Sequence, residues 1–435
     1  MVRGKSLGRG AAATLLLGLC ATVCAQPLPE SDGRIHEGVG SCASAVCHGR
    51  VNAANDSDIW LNEYRIWLRQ DYHSRAYRTL LSDQSRDMAD KLGLAAAHTA
   101  ELCLDCHADN VSADRRGSRF QLDDGVGCEA CHGGSEEWLD RHAETGRSHA
   151  DNIAMGMYPA DDPVSRAQLC LSCHLGTRDK FATHRIMGAG HPRLSFELET
   201  FSVNQPVHYG LDADYVARKG ERDPVSTWLT GLAVSSAQLL ELIASGNYPG
   251  DGLFPELGFF QCHACHHGMQ NIRWQPDPRA PALVSGSVRI NDGTLVVLSA
   301  LLATINADEA GALRDGIKDL HEAASKSSQA LRERSNGVHK LLQRIATSLA
   351  GRRYDRDSKL ALRHSLLKQG AQSAFRYYSA AEQVFLGVET LSIELGDNEQ
   401  LQTQLDALFR TLEDESLYQP DAFSSRAGEM LGALP

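Results

Sequence analysis

Residues 101–110 read ELCLDCHADN and residues 125–134 read GVGCEACHGG, and the chain is organised around these two segments. Each segment contains the pentapeptide Cys-x-x-Cys-His, as Cys103/Cys106/His107 and as Cys128/Cys131/His132. Two thiols at this spacing reach the two vinyl groups on one edge of a porphyrin, and the imidazole of the next residue then lies beneath the iron. The pattern therefore predicts covalently attached c-type haem, with the motif histidine as the proximal iron ligand.

The same pentapeptide occurs twice more, and a looser version precedes it. CLSCH gives Cys170/Cys173/His174, CHACH gives Cys262/Cys265/His266, and CASAVCH, with four residues between its thiols, gives Cys42/Cys47/His48. Of the twelve cysteines, Cys20 and Cys24 lie in the N-terminal apolar run, and the other ten form five pairs. Zinc sites built from Cys-x-x-Cys pairs would not require a histidine after each second cysteine. We therefore expect five covalent haems c, of which the first depends on the looser spacing.

Residues 1–25 have the composition of a secretory signal peptide. A basic start is followed by an apolar run and by small residues before a cleavage site expected after Ala25. The run is shorter than the roughly 20 residues that cross a bilayer, and no later segment is predicted to span a membrane. The sequence thus predicts an exported, periplasmic chain.

The formal net charge of the chain is −12, and removal of the basic leader would make it more negative. An acidic surface argues against nucleic acid as a partner and favours redox proteins with a basic docking surface. No phosphate-binding loop, dinucleotide fingerprint or hydrolase triad stands out, so no residue is given a catalytic role.

The iron of a multihaem protein usually takes a second axial ligand, which the attaching pentapeptide cannot supply. Of the eighteen histidines, thirteen lie outside the motif positions. We expect His36 in a mobile N-terminal region and His321, His339 and His364 on the surface of C-terminal helices. The candidate distal ligands are His73, His142, His184, His191 and His267. For His98, His149, His208 and His267, a hydrogen bond to a haem propionate or plain exposure is an equal alternative.

Longer segments around the motifs resemble the multihaem cytochrome c family typified by the tetrahaem cytochrome c-554, with hydroxylamine oxidoreductase and pentahaem nitrite reductase as relatives. The resemblance lies in GVGCEACHG followed by WLDRH and in CLSCHLG followed by HRIMGAGHP, and it covers roughly residues 38–275. It implies a mainly α, loop-rich fold wrapped around stacked haems, with electron transfer as the common activity. By motif position, it also implies proximal ligation by His48, His107, His132, His174 and His266.

The sequence departs from these relatives in three respects. It has five haem motifs where the tetrahaem carrier has four. The Cys-x-x-Cys-Lys motif of the nitrite reductase's catalytic haem does not occur in it. The cross-linking tyrosine of hydroxylamine oxidoreductase has no position that can be matched. The last two departures weigh against an enzyme.

The fold expected from these patterns is mainly α in three parts: a signal peptide (1–25), a pentahaem cytochrome c domain (26–280) and a haem-free helical bundle (281–435). Helices are predicted over 57–94, 227–246, a segment after Asp292-Gly293, 308–334, 338–351, 357–395 and 398–414. Two apolar stripes, at Val338/Leu341/Leu342/Ile345/Leu349 and Leu401/Leu405/Leu408/Leu412, predict core-facing helices. The alternative is that these stripes form a homodimer or partner interface.

Two functions fit this sequence. If two histidines hold every iron, the haems are low-spin and closed to other ligands, and the protein passes electrons between redox partners. If one iron has an open face, it could act on hydroxylamine, nitrite, nitric oxide or a sulfur oxyanion. The excess of candidate histidines over irons favours the electron carrier. A docking subunit that recruits an oxidoreductase is compatible with either.

Overall fold

The computed structural model describes residues 26–52, 54, 60–210, 212–246, 256–266, 283–284, 287 and 289–434. Within these ranges the chain forms nineteen α-helices, eight short 3₁₀-helices and two isolated β-bridges, without a β-strand. The mainly α class predicted from the sequence is confirmed. The predicted signal peptide and His267 lie outside the described residues.

Short helices joined by long loops make up the first half of the described chain. They are α1 (Val39–Cys42), α2 (Glu63–Gln70), α3 (Ala76–Thr79), α4 (Asp83–Leu92), α5 (Glu101–His107), α6 (Glu129–His132), α7 (His149–Ala154), α8 (Pro163–His174), α9 (His184–Ala189), α10 (Leu198–Asn204) and α11 (Ala213–Lys219).

Longer helices make up the second half. They are α12 (Pro224–Ser245), α13 (Gly293–Ile305), α14 (Ala307–Lys326), α15 (Ser328–Leu349), α16 (Arg356–Ala371), α17 (Tyr378–Leu395), α18 (Gln402–Phe409) and α19 (Pro420–Ala433). The fifth motif lies between α12 and α13, on the 3₁₀-turn Cys262–Ala264.

Helix α12 is the centre of the apolar core. It begins at the N-cap Asp223, whose side chain accepts a hydrogen bond from the Ser226 amide, and it continues with Pro at its first position. Sixteen of its residues are buried, and it packs against α8, α10, α13, α15 and α17. One apolar cluster runs from Ala167 to Met430, so α8, which carries the fourth motif, and the C-terminal helices share a core.

The stretch Tyr215–Ser245 is also long and apolar enough to cross a membrane. In the structure 78% of its most apolar window is buried inside the protein. A helix that is hydrophobic on all sides can equally form the core of a soluble protein, and this burial is that of a core helix.

Three of the predicted helices have other boundaries in the structure. The single helix expected over 57–94 is broken at Asp71, whose carboxylate caps a 3₁₀-turn, and again at Ser82, which caps α4. The helix expected to end at Asn336-Gly337 instead breaks at Ser327, which caps α15. The helix expected over 357–395 is interrupted after α16, where Ser373 takes a φ of 57°.

The predicted apolar stripes face the interior of the chain. Val338, Leu342, Ile345 and Leu349 of α15 are buried in the common core, and so are Leu401, Leu405, Leu408 and Leu412. These residues serve the core of the chain itself, and a homodimer through the C-terminal helices would have to use other surfaces.

Two histidines expected in exposed or mobile positions are buried instead. His36 has no exposed surface and its Nδ1 lies 2.8 Å from the Oδ2 atom of Asp109. His321 is 1% exposed and its Nε2 lies 3.0 Å from Oδ2 of the buried Asp292. In both cases a buried carboxylate compensates for the cost of burying the imidazole. His364 is exposed, as expected.

Candidate functional site

Three of the five motifs lie on short helices that end at the motif. Helices α5, α6 and α8 each end at the motif histidine, His107, His132 and His174. In a helical turn, residues three apart lie on the same face, so the two thiols of each of these motifs point the same way. The local sequence therefore forms these attachment surfaces without help from distant residues.

Two of the ten predicted attachment cysteines, Cys47 and Cys265, depart from this helical arrangement. Cys47 lies beyond the end of α1, in a turn where its amide donates to the Ser44 carbonyl at 3.0 Å and the Ser44 hydroxyl donates to its sulfur at 3.4 Å. Cys265 follows the 3₁₀-turn Cys262–Ala264 and is exposed, whereas the other nine thiols are at least half-buried. The five motifs therefore do not all present their thiols on the same kind of helical surface.

The backbone of the first motif compensates for its two additional residues. The amide of His48 donates to the carbonyl of Cys42 at 3.1 Å, as the amide of His132 donates to that of Cys128 at 2.9 Å. The extra residues of CASAVCH form the turn between these two points, and this turn displaces Cys47 from the helix. The histidine thus returns to the same position relative to the first cysteine in both spacings.

The fifth motif keeps the same backbone hydrogen bond without an α-helix. The amide of His266 donates to the carbonyl of Cys262 at 2.8 Å. Cys265 follows this 3₁₀-turn and lies exposed at the protein surface. Haem attachment at all ten cysteines, Cys47 and Cys265 included, stays a prediction from the motifs.

Each of the five motif histidines faces a second histidine from elsewhere in the chain. The ring centroids are 5.9 to 6.5 Å apart, and the angle between ring planes ranges from 16° to 90°. The pairs are His48 with His142, His107 with His191, His132 with His208, His174 with His73, and His266 with His184.

This spacing fits an iron held between two imidazoles. A metal–nitrogen bond of about 2 Å on each side, with roughly 1 Å from each nitrogen to its ring centroid, gives a separation of about 6 Å. Rotation of either ring about that axis leaves the bonds unchanged, so any angle between the planes is compatible. The histidine pairs and the thiols beside them therefore fit haem c.

Hydrogen bonds fix which ring nitrogen is free. In His107, His142 and His191 the Nδ1 atom lies 2.6 to 3.1 Å from a backbone carbonyl, that of Ala76, Leu139 and Pro192 respectively. Because a carbonyl only accepts hydrogen bonds, Nδ1 must carry the proton and Nε2 is left with its lone pair. This is the usual arrangement of metal-ligating histidines.

In two other histidines a carboxylate takes the place of the carbonyl. Nδ1 of His48 lies 3.0 Å from Oε2 of Glu63, and Nδ1 of His73 lies 2.9 Å from Oδ1 of Asp71. These hydrogen bonds raise the pKa of both imidazoles against the opposing effect of burial. With the proton on Nδ1, Nε2 of both rings keeps its lone pair.

Burial keeps several of the facing histidines neutral. Desolvation, with a smaller effect of the neighbouring His208, lowers the pKa of His132 to about 3. Burial is also the main cause of the lowered pKa values of His107, His174 and His208. Since only the neutral imidazole binds a metal, these side chains are held in the form that ligation needs.

Thiols of different motifs meet in the interior. The thiols of Cys42 and Cys128 lie close enough to shift each other's pKa, and so do those of Cys106 and Cys173. Burial raises the pKa of Cys170 to about 11, so this thiol is protonated at neutral pH. No disulfide joins any of the ten cysteines of the described chain. The first motif thus lies beside the third, and the second beside the fourth.

Aromatic and capping residues hold the facing histidines in place. Phe196 packs against the His174 ring at 4.8 Å, and Trp138 packs edge-on against His142 at 5.4 Å. The amide of His184 donates a 2.7 Å hydrogen bond to Glu256, whose carboxylate also caps the turn before the fifth motif. Glu256 therefore connects the loop of His184 to the segment that carries the fifth motif.

Four of the five candidate distal histidines face a motif histidine in the structure. The fifth candidate, His267, lies outside the described residues, and the fifth pair is completed by His208, which faces His132. The sequence leaves His208 balanced between ligation and exposure, since no local pattern marks it. His98 packs on Tyr77, and His149 lies 2.9 Å from Asp161 through Nε2.

Comparison with known proteins adds one finding. Residues 41–133, which contain the first three motifs, match the family described as cytochrome c554 and c-prime. No curated protein and no solved structure matches the sequence. Members of this family carry covalently bound haem c and function in electron transfer. Over residues 41–133 the chain is therefore similar to a family of c-type cytochromes.

Proposed function

We propose that this chain is an exported electron-transfer protein with five haems c, in which two histidines ligate every iron. The observation that carries the proposal is that each of the five motif histidines faces a second histidine at the separation that an intervening iron requires. The thioether bonds would form at Cys42 and Cys47, Cys103 and Cys106, Cys128 and Cys131, Cys170 and Cys173, and Cys262 and Cys265.

The looser first motif supports the count of five. Its histidine, His48, faces His142 at 6.0 Å, and its first thiol, that of Cys42, lies close enough to the thiol of Cys128 for each to shift the pKa of the other. Both relationships also occur at motifs with the tighter spacing. Although Cys47 lies in a turn, the backbone brings His48 back to Cys42 as in the tighter motifs. We therefore assign haem attachment to all five motifs.

Ligation determines the kind of activity. An iron with two histidine ligands has no open position for a small molecule and can only gain or lose an electron. With such a site at every motif, no haem is available to bind nitrite, hydroxylamine or nitric oxide. The protein then passes electrons between partner proteins.

Two features of the sequence support the export and the partner class that we propose. The composition of residues 1–25 is that of a cleaved leader, and c-type haem is attached outside the cytoplasm. The net charge of −12 favours a redox partner with a basic docking surface.

Low-temperature EPR of the fully oxidised protein, repeated after addition of nitric oxide or hydroxylamine, tests the ligation. We expect only low-spin ferric signals, unchanged by either additive. A high-spin ferric signal that converts on addition would show an open iron, and the electron-carrier proposal would be wrong.

Intact-mass spectrometry tests the count and the export independently. We expect five haem additions on a chain that begins near Gln26. The variant Cys42→Ser/Cys47→Ser should lose one haem and keep four, and so should Cys262→Ser/Cys265→Ser. Four haems on the unsubstituted chain would contradict the assignment of the motif whose double variant then loses none.

A further inference from the structure

We propose that Glu63 and Asp71 give the haems ligated by His48 and by His73 the two lowest reduction potentials of the five. This inference rests on the proposed function, since it requires haem iron at these histidines. It assigns a positioning and tuning role to two carboxylates that the ligation itself does not use.

Both carboxylates come from one helix. Glu63 is the first residue of α2 and Asp71 is the residue that follows its last turn. Glu63 lies 3.0 Å from Nδ1 of His48, on the motif side of one iron site, and Asp71 lies 2.9 Å from Nδ1 of His73, on the distal side of another. A single short helix thus brings a negative charge to two different haem sites.

The group that accepts the hydrogen bond from Nδ1 of the histidine differs between these two positions and three others. His107, His142 and His191 donate to neutral carbonyl oxygens, whereas His48 and His73 donate to ionisable oxygens. A hydrogen bond to an ionised acceptor is stronger and gives the imidazole more electron density to donate to a bound metal. The ferric state, which has the greater positive charge, is then favoured over the ferrous state, and the potential falls.

The carboxylates are shielded and held in place. The side chain of Glu63 is 15% exposed and that of Asp71 is 6% exposed, so water screens their charges little. Glu63 accepts a second hydrogen bond from the Leu61 amide, and Asp71 accepts others from the His73 amide and the Gln205 side chain. These additional hydrogen bonds keep the oxygens directed at the imidazoles.

The backbone before α2 is strained in a way that serves this arrangement. Leu61 has a φ of 57°, which a bulky residue seldom adopts because its side chain then crowds the backbone. In that conformation its amide donates to the Oε1 atom of Glu63 at 3.0 Å. Strained residues tend to occur where position matters for function, and here the position fixed is that of the carboxylate.

One positive charge lies near the second of these sites. The Nζ atom of Lys180 is 3.3 Å from the sulfur of Cys173, in the motif whose histidine faces His73. However, Lys180 also forms an ion pair with Glu30. This pair is neutral overall, so it offsets the charge of Asp71 only weakly.

The test is a redox titration of the fully haem-loaded protein, followed by absorbance and by low-temperature EPR of samples poised at each potential. Glu63→Gln and Asp71→Asn remove the charges with little change in shape. Each should raise one of the five midpoint potentials so that its reduction equilibrium changes at least tenfold, equivalent to 59 mV for one electron. The other four midpoints should move less.

Asp161→Asn is the matched control. It removes a carboxylate that also bonds a half-buried histidine, His149, which is not one of the histidines that face a motif histidine. This variant should leave all five midpoints in place. Equal shifts in the control, or no shift in either test variant, would overturn the inference.

The unsubstituted protein provides a second measurement should a variant fail to load haem. Two low-spin signals should be the last to disappear as the potential is lowered, separated from the other three. Five overlapping midpoints would overturn the tuning proposal while leaving the five low-spin signals intact. High-spin signals before any titration would instead contradict the proposed function.

Discussion

Arg193, two residues after His191, donates a hydrogen bond from Nη2 to the Oε1 atom of Glu382 in α17, at 3.0 Å. Its Nε atom donates to Glu415 at 2.9 Å, and the Ser195 hydroxyl donates to the second oxygen of Glu382 at 2.8 Å. The loop that carries His191 is therefore fixed to the C-terminal helices. This gives the C-terminal part of the chain a role in placing a candidate haem ligand.

We expect Glu382→Gln to loosen His191. Loss of the charge weakens two hydrogen bonds to the loop and should lower the free energy of unfolding by about 1–2 kcal/mol. The ferric haem at His107 should then show a partial high-spin EPR signal. Glu429→Gln, which breaks an exposed pair with Arg426, should change neither property. An unchanged low-spin spectrum in Glu382→Gln would show that the loop holds His191 by itself.

His208→Ala should open the haem at His132. Its ring lies 6.3 Å from that of His132, and removal of an axial ligand leaves a position that carbon monoxide can occupy in the ferrous protein. One haem equivalent should become high-spin and bind carbon monoxide, as absorbance and EPR would show. His149→Ala removes a histidine that is bonded to Asp161 and should bind none. Binding in both variants, or in neither, would refute the assignment of His208.

The attachment motifs are predictable from the sequence because their chemistry is local. Two thiols and an imidazole within a helical turn present one surface whatever the rest of the fold does. This argument does not cover Cys47 and Cys265, because a turn and a 3₁₀-turn replace the α-helix at these two cysteines. The motif identifies these two residues as attachment cysteines, but it does not predict their positions in the structure.

The pairing of motif histidines with distant ones depends on tertiary structure, and His208 shows the second limit of the sequence. It lies in a loop without a helical pattern. Nothing in its sequence neighbours distinguishes it from His149, yet only His208 of these two faces a motif histidine. Which of the two histidines faces a motif histidine depends on how distant segments of the chain come together. A local sequence pattern does not predict this.

The helix boundaries also depend partly on local sequence and partly on tertiary contacts. Asn336-Gly337 is a predicted helix end, yet α15 continues through both residues. Val338 packs against Gly316 of α14, where an added Cβ would lie 3.1 Å from the valine methyl. Close packing between the two helices compensates for the cost of a glycine within α15. Helix propensity alone does not predict this contact between the two helices.

Close packing at Gly387 in the helical core leads to a further prediction. A Cβ at this position of α17 would overlap the indole of Trp228, which is fully buried in α12. Gly387→Ala should therefore lower the free energy of unfolding by about 1–3 kcal/mol, measured by denaturant unfolding. Gly311→Ala in α14 would meet only the end of the Arg314 side chain, at 3.9 Å. It should be neutral or stabilising by up to about 1 kcal/mol, and a comparable loss in both variants would argue against the overlap.

The buried His36 predicts a pH dependence of stability. Burial alone would lower its pKa, but the hydrogen bond to Asp109 and the charges of Asp109, Glu129 and Asp32 outweigh it, so the pKa is raised above its usual value. A raised pKa means that the folded state binds the proton more tightly than the unfolded state does. The stabilisation is therefore fully present below pH of about 6.5, the unfolded value, and is lost as the pH rises through the folded value.

His36→Gln should consequently lower the melting temperature more at pH 6 than at pH 9. Thermal unfolding at a fixed scan rate, followed by circular dichroism at both pH values, measures the difference. His364→Gln alters an exposed histidine and should shift neither melting temperature. An equal loss at both pH values in His36→Gln would mean that the imidazole stabilises the fold by packing rather than by its charge. The proton on His36 would then contribute nothing to holding Asp109, two residues from His107, in its place.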